Sequence, residues 1–186
     1  MSTGIQLEHD WFPRPLPPNV ELGERSWCYS SYSCLHCQSR RPRAVRVGHD
    51  TGLYHGTFFD LGPEGEVEIG DYCALVGAIV CTNRRVVIGS YTFIAHEVVL
   101  ADTFAARPWG PGASPGNPAS AVTEEAAIVI GENCWIGARA ILLAGAHLAE
   151  GVIVGAAALV DFAVPAYAIV AGNPARIVGS SRPPSA

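Results

Sequence analysis

Six histidines, His9, His36, His49, His55, His96 and His147, are the side chains of this 186-residue chain best suited to move a proton near neutral pH. His96 is followed directly by Glu97, whose carboxylate could raise the basicity of the imidazole or orient it. A histidine so placed can take the proton of a hydroxyl or amine as a general base. His49 and His55 lie six residues apart, with Asp50 and Asp60 close by, and offer polar contacts for a small polar molecule. Six cysteines (Cys28, Cys34, Cys37, Cys73, Cys81 and Cys134) raise a second chemistry, since Cys34-Leu-His-Cys37 has the spacing of a metal-ligand pair. No second such pair completes four ligands, and a cysteine is also a common small buried residue in a tight coil. The structural reading is preferred, and no metal is expected.

What must position these residues is a repeat. Residues 130 to 165 divide into six-residue units: Ile130-GENCW, Ile136-GARAI, Leu142-LAGAH, Leu148-AEGVI, Val154-GAAAL and Val160-DFAVP. Each begins with an aliphatic residue, Gly or Ala often follows, and small residues recur at the fifth place. A helical period of 3.6 would lose this phase, and strict strand alternation would not place the small residues so regularly. Three short strands joined by sharp turns do fit, each unit forming one side of a triangular prism and about 18 residues one turn. The leading aliphatic points inward, and small residues take the corners, where crowding and unusual dihedrals penalise large side chains.

Earlier units are less regular: Leu22-GERSW, Cys28-YSSYS, Cys34-LHCQS, Val47-GHDTG, Ile69-GDYCA, Leu75-VGAIV, Ile88-GSYTF and Ile94-AHEVV. The longest interruption, at about 103 to 127, is rich in Pro, Gly and Ala and reads as an excursion from the prism, because the repeat resumes after it. Loops of this length are often functional. The predicted organisation is an N-terminal extension over 1–19, an all-β helix over 20–178 and a flexible tail over 179–186.

Lys and Arg total 12 against 17 Asp and Glu, a net charge of -5, so nucleic acid and anionic membrane surfaces are poor partners. The apolar fraction is 49%, yet no apolar run reaches the roughly 18 residues of a membrane helix. The N-terminus lacks the pattern of a secretory signal, so the expected location is the cytoplasm, with reduced thiols.

The ending, from Ile130 to Gly179, with Cys134-Trp135-Ile136-Gly137 and Ala171-Gly172-Asn173-Pro174-Ala175-Arg176, resembles that of the galactoside, maltose and xenobiotic acetyltransferases. The resemblance to hexapeptide-repeat acyltransferases covers roughly residues 20 to 178. It implies a left-handed parallel β-helix that works as a homotrimer, with acetyl-CoA or another acyl-CoA between neighbouring prisms as co-substrate. That handedness runs against the usual right-handed crossover and comes from the resemblance alone. By the same resemblance Trp135 borders the groove, Ala138 and Ala156 offer backbone to the pantetheine arm, and Arg176 meets CoA phosphate, to which a guanidinium can bind bidentately.

The galactoside and maltose branch carries its catalytic histidine shortly after the coil before the long loop. The matching place here holds Phe104. The unit Ile94-Ala-His96-Glu97 instead resembles the catalytic hexapeptide of lipid A pathway and nucleotide-sugar acyltransferases, with His in third place. This resemblance makes His96 the base and Glu97 its tuning partner. His49, His55, Asp60, Asp102 and Trp109 are the candidate acceptor contacts, Trp109 either stacking on a ring or anchoring the loop.

Val47-Gly-His49 also resembles γ-class carbonic anhydrases, which bind zinc through three histidines at a subunit interface. His49 and His55, six apart, fall on corners of different sides, which argues against one shared ion. Three readings stand: an acyl-CoA-dependent O- or N-acyltransferase acting on a small polar acceptor such as a sugar, a zinc-dependent hydratase, and a non-catalytic trimeric scaffold.

Overall fold

In the computed structural model, which describes residues 4, 5, 7–12, 14–102 and 126–182, the leading aliphatics of the repeat line the axis of a triangular prism. Ile130, Ile136, Leu142, Leu148, Val154 and Val160 are each 2% exposed or less, and the earlier leading residues Leu22, Cys28, Cys34, Val47, Ile69, Leu75, Ile88 and Ile94 are buried as well. Withdrawing one such Leu or Ile from water contributes about 1.5–3 kcal/mol. A column of them running the length of the prism is the main source of stability.

Three sheets form the sides. The first holds Val20–Leu22, Val45–Val47, Glu66–Ile69, Arg85–Ile88, Ile128–Ile130, His147–Leu148 and Ala163–Val164. The second holds Trp27–Cys28, Gly52–Leu53, Ala74–Leu75, Phe93–Ile94, Trp135–Ile136, Ile153–Val154, Ala168–Ala171 and Arg176–Ser180. The third holds Phe58–Leu61, Ile79–Thr82, Val99–Ala101, Ile141–Leu143 and Leu159–Val160. Neighbouring strands are parallel, with like residues in register: Leu75, Ile94, Ile136 and Val154 follow one another up the second sheet. Only Arg176–Ser180 runs antiparallel, folding back on Ala168–Ala171. The result is a left-handed parallel β-helix of about six turns.

The corners depart from the sequence-based expectation that they hold small residues throughout. The second place does need glycine in several coils, because a Cβ on Gly131 would lie 2.8 Å from the backbone carbon of Ala149 in the next coil. The fourth place obeys a different rule. Arg25, Asp50, Tyr72, Tyr91, Glu97, Asn133, Arg139, Ala157 and Tyr167 all take left-handed backbone with φ between 52 and 61°. Each costs about 1–2 kcal/mol, offset by the packing of the column. Large side chains are tolerated there because they turn outward; Arg25, Tyr72, Tyr91 and Arg139 are all exposed.

The coil keeps its register across the excursion: Ile128–Ile130 pairs with Val86–Ile88, and Ala127 N–H donates to Arg85 C=O at 2.7 Å. The excursion itself, together with Phe104 and Trp109, lies almost wholly outside the described residues. At the N-terminal end Ile5 N–H donates to Ser26 C=O at 2.7 Å, and the Asp10 carboxylate caps the one 3-10 helix among the described residues, Ser31–Cys34. Burial pushes the Asp10 carboxyl up, but the N–H donors of Ser31 and Phe12 and the Ser30 hydroxyl outweigh it and bring it down to about 2. Among the described residues no helix is long and apolar enough to cross a membrane.

Candidate functional site

The corners of successive coils stack into three edges, and the second-to-third-sheet edge gathers His55, His96, Glu97, Ala138 and Ala156 of the residues anticipated from sequence. Numbering each hexapeptide from its inward aliphatic, the third place on this edge is occupied in turn by His55, His96, Ala138 and Ala156. Ile94 is fully buried and Ala95 is 9% exposed, after which the chain turns and leaves His96 exposed. Neither imidazole hydrogen-bonds to another described residue; the ring of His55 packs edge-on against Tyr29, with centroids 5.1 Å apart. An exposed imidazole with no hydrogen bond to a neighbour has the geometry to meet a bound molecule.

Glu97 takes the fourth place of the His96 corner at φ 58°. Its carboxylate accepts from Arg139 Nε at 2.7 Å, and the Arg139 N–H donates to the His96 C=O at 2.9 Å. The pair holds the Arg139 guanidinium above its ordinary range, chiefly through the hydrogen bond it donates to Glu97. Arg139 escaped notice in the sequence. Its partner lies 42 residues away, across the excursion, and the pairing follows only once the coils are in register.

Trp135 stands on the outer face of the second sheet, 58% exposed, edge-on to Phe93 one coil earlier at 5.4 Å. Arg176 begins the returning strand, opposite Ala171. Its Nη1 donates to Ala175 C=O at 2.8 Å, and the side chain is exposed. Four strand spacings separate the strand of Ile94 from that of Arg176, on the order of 19 Å. The track between them runs past Ala138 and Ala156, where small side chains leave the backbone approachable.

The other anticipated acceptor contacts lie apart. His49 occupies the third place of a different edge, first-to-second, and both its nitrogens are engaged, Nδ1 with Asp50 at 2.7 Å and Nε2 with Asp71 at 3.1 Å. Asp50 also receives two hydrogen bonds from Arg25, which, with the bond from His49, bring its carboxyl down to about 2. Asp60 is exposed on the third sheet. Asp102 accepts from the Thr82 hydroxyl and from Asn83 N–H at 3.1 Å, tying down the corner from which the excursion leaves. His147 faces outward on the first sheet, 3.3 Å from the Ala126 carbonyl.

The six cysteines are unpaired and mostly buried, and burial pushes each thiol up. No cluster of three or more His, Cys, Asp or Glu suited to a metal occurs among the described residues. A cleft of about 790 Å³ lies under the N-terminal segment, between Asp10, Phe12, Arg14 and the first coil, and none of His55, His96, Trp135 or Arg176 lines it.

A second residue passed over in the sequence is Gly77. The spelling Leu75-VGAIV imitates a full hexapeptide, but Val80 rather than Cys81 is the next inward residue, fully buried in register with Leu100. That unit is one residue short.

Comparison with known proteins agrees with this architecture. Residues 127–161 match the family described as bacterial transferase hexapeptide (six repeats). A protein of Escherichia coli strain K12 named for O-acetyl transfer in lipopolysaccharide biosynthesis, WbbJ, is 32% identical over 153 residues, 76% of this chain and 74% of that protein. This chain belongs to the hexapeptide-repeat acyltransferases. A second member, a chloramphenicol acetyltransferase of Agrobacterium fabrum, is 29% identical over 154 residues, covering 77% of this chain and 70% of that one. Among solved structures, a mutant of AntD, an N-acyltransferase from Bacillus cereus in complex with dTDP and coenzyme A, superposes with a TM-score of 0.62 over 88% of this chain and 84% of that one. At 19% identity that likeness shows the fold.

Proposed function

We propose that the protein transfers an acetyl group from acetyl-CoA to a hydroxyl or amine of a small polar acceptor, along the second-to-third-sheet edge, with His96 as general base. One observation carries this reading: an exposed imidazole with no hydrogen-bond partner among the described residues stands where two further coils present only Ala138 and Ala156. Support comes from relatives that are named acetyltransferases and from the coenzyme A bound in AntD.

His96 takes the acceptor's proton as the acceptor oxygen or nitrogen attacks the thioester carbonyl. The C–S bond then breaks, and the imidazolium returns the proton to the departing thiolate. The developing oxyanion needs a donor; among the described residues the N–H of Ala138 has no backbone acceptor, and it lies one coil from His96. Paired with Arg139, Glu97 positions the corner. The acyl-CoA arm lies past Trp135, Ala138 and Ala156, with its phosphates toward Arg176.

From the coil of Leu75 onward the outer faces flanking this edge are apolar, with Ala74, Phe93, Trp135, Ile153 and Ile169 on one side and Ile79, Val99, Ile141, Leu143 and Leu159 on the other; Asp60 stands outward one coil earlier. The first sheet turns Glu21, Arg46 and Glu68 outward in its early coils and Val87, Val129 and His147 outward beyond them. Two apolar faces beside a thin edge favour packing against further copies, and a homotrimer with the donor between prisms is part of the proposal.

Calorimetry with acetyl-CoA tests it on wild type, Arg176→Ala and His96→Ala. Wild type binds saturably. Arg176→Ala binds roughly tenfold or more weakly, the worth of a charge-assisted hydrogen bond, and His96→Ala binds as wild type. Absence of binding by wild type would refute the donor assignment.

A further inference from the structure

We infer that a one-residue gap in the edge between His55 and His96 is the entry for the acceptor's reacting group, and that His55 is a second, specificity-determining contact there. This rests on the acetyl-CoA-dependent reading above.

On this edge the chain takes five residue steps from the inward residue to the start of the third-sheet strand in four coils: Leu53 to Phe58, Ile94 to Val99, Ile136 to Ile141 and Val154 to Leu159. From Leu75 to Ile79 it takes four. The register of flanking strands is unbroken, Leu75 pairing with Ile94 and Ile79 with Val99, so the missing residue comes out of the corner. The fifth place is still filled by buried Ala78, and the left-handed fourth place by Gly77, at φ +67°. Gly77 also accepts from the Glu97 N–H at 3.2 Å, the bond that the third-place carbonyls of His96 and Ala138 accept in later coils, so one glycine does the work of two residues and what is absent is a third-place side chain such as His55 in the coil before and His96 in the coil after.

Two exposed imidazoles thus sit two strand spacings apart, about 9–10 Å between backbones, with no side chain between them. The floor is open as well. A Cβ built on Gly77 would meet nothing nearer than the His55 carbonyl at 3.3 Å and the Glu97 nitrogen at 3.8 Å. An opening one residue wide accepts a hydroxyl or amine carried on a slim neck, as on a sugar ring, and excludes a branched or buried one. The reacting group bonds to His96, while His55 donates to or accepts from a neighbouring polar group of the same acceptor.

The experiment uses the full chain as wild type, as a variant with Ala inserted between Val76 and Gly77, and as His55→Phe, which retains the edge-on contact with Tyr29. Thiol release from acetyl-CoA is followed with a panel of hexopyranosides, aminohexoses and chloramphenicol, and acetyl-CoA affinity by calorimetry. The insertion is expected to leave acetyl-CoA affinity within twofold and to lower kcat/KM for every accepted acceptor at least 100-fold. His55→Phe is expected to raise the acceptor KM about tenfold with kcat within twofold. If the insertion does not fold, His55→Phe decides alone. An insertion variant, or a His55→Phe protein, that keeps wild-type kcat/KM overturns the inference. So does a wild type that binds acetyl-CoA but acetylates no member of the panel, whereas a wild type that binds no acetyl-CoA removes the underlying reading instead.

Discussion

Gly137 and Gly155 occupy the same second place in adjacent coils of the functional edge, yet the structure sets very different costs for adding a methyl to each. A Cβ at Gly137 would fall 2.6 Å from Ala156 N, 2.8 Å from Val154 O and 2.9 Å from Gly155 C, all backbone atoms. None can rotate away, so the coils must separate by roughly 0.5–0.8 Å to restore ordinary contact. That shift stretches the bond from Gly137 N–H to Val154 C=O, now 2.8 Å, and loosens its neighbours. Overpacking of this kind costs about 1–3 kcal/mol, and weakening one backbone hydrogen bond adds about 1 kcal/mol, so Gly137→Ala should lose about 2–4 kcal/mol. At Gly155 the nearest atoms are the Ala171 Cβ at 3.1 Å and the Val170 O at 3.3 Å, so a shift of a few tenths of an ångström restores ordinary contact. Gly155→Ala should stay within about 1 kcal/mol, part of the strain being offset by the smaller entropy of the unfolded chain. Thermal unfolding by circular dichroism at matched protein concentration measures both, with a fall in Tm of about 5–12 °C expected for Gly137→Ala. Equal losses in the two variants, or a Gly137→Ala protein within about 1 kcal/mol of wild type, would refute the reasoning.

The interior column gives a simpler expectation: Leu142→Ala, at a fully buried position, should cost about 2–5 kcal/mol in urea unfolding. His96→Ala should lower kcat about 100-fold or more with acetyl-CoA affinity unchanged, and wild-type turnover would remove His96 from the mechanism. Asp50 titrates near 2 in the folded chain against 3.8 unfolded. Its contribution is therefore fully present above about pH 4 and disappears as pH falls toward 2; Tm measured from pH 5 to pH 2 should drop less steeply in Asp50→Asn than in wild type. Glu97 and Arg139 are both largely exposed, so a double-mutant cycle with Glu97→Gln and Arg139→Ala should give a coupling below about 1 kcal/mol. A larger value would mean the corner depends on the pair for its fold.

The inward column was legible in the sequence because the prism axis admits little except aliphatic side chains, so Ile130, Ile136, Leu142, Leu148, Val154 and Val160 announce themselves every six residues. The glycines at 131 and 137 were legible for a related reason, the close approach of the next coil. The fourth place was not, since Tyr72, Tyr91 and Arg139 give no hint of left-handed backbone; their side chains point outward and any residue able to bear the strain will serve. Gly77 was hidden by an accident of spelling, Val80 and Cys81 both being acceptable as a leading residue. Glu97 beside His96 suggested a direct partnership, but at a corner the fourth-place side chain meets the fourth place of the adjacent coil, and Arg139 is what it finds there.

The same positional logic underlies the proposed placement of the chemistry. In each hexapeptide the first and fifth places face the core, the second is pressed against the neighbouring coil and the fourth is committed to a strained turn. The third place at a corner and the sixth on a sheet face are left to project freely. His147 is a sixth-place residue, set against the Ala126 carbonyl. His49 is a third-place residue on another edge, but two carboxylates hold its ring. His55 and His96 are third-place residues on one edge, exposed and without a hydrogen bond to another described residue, and the shortened coil removes the one side chain that would have stood between them. A base that must meet an incoming acceptor and an extended thin donor at once has few other places on such a prism to stand. The small residues Ala138 and Ala156 continue that same line toward Arg176, so in the proposed mechanism donor and acceptor approaches meet end to end at His96.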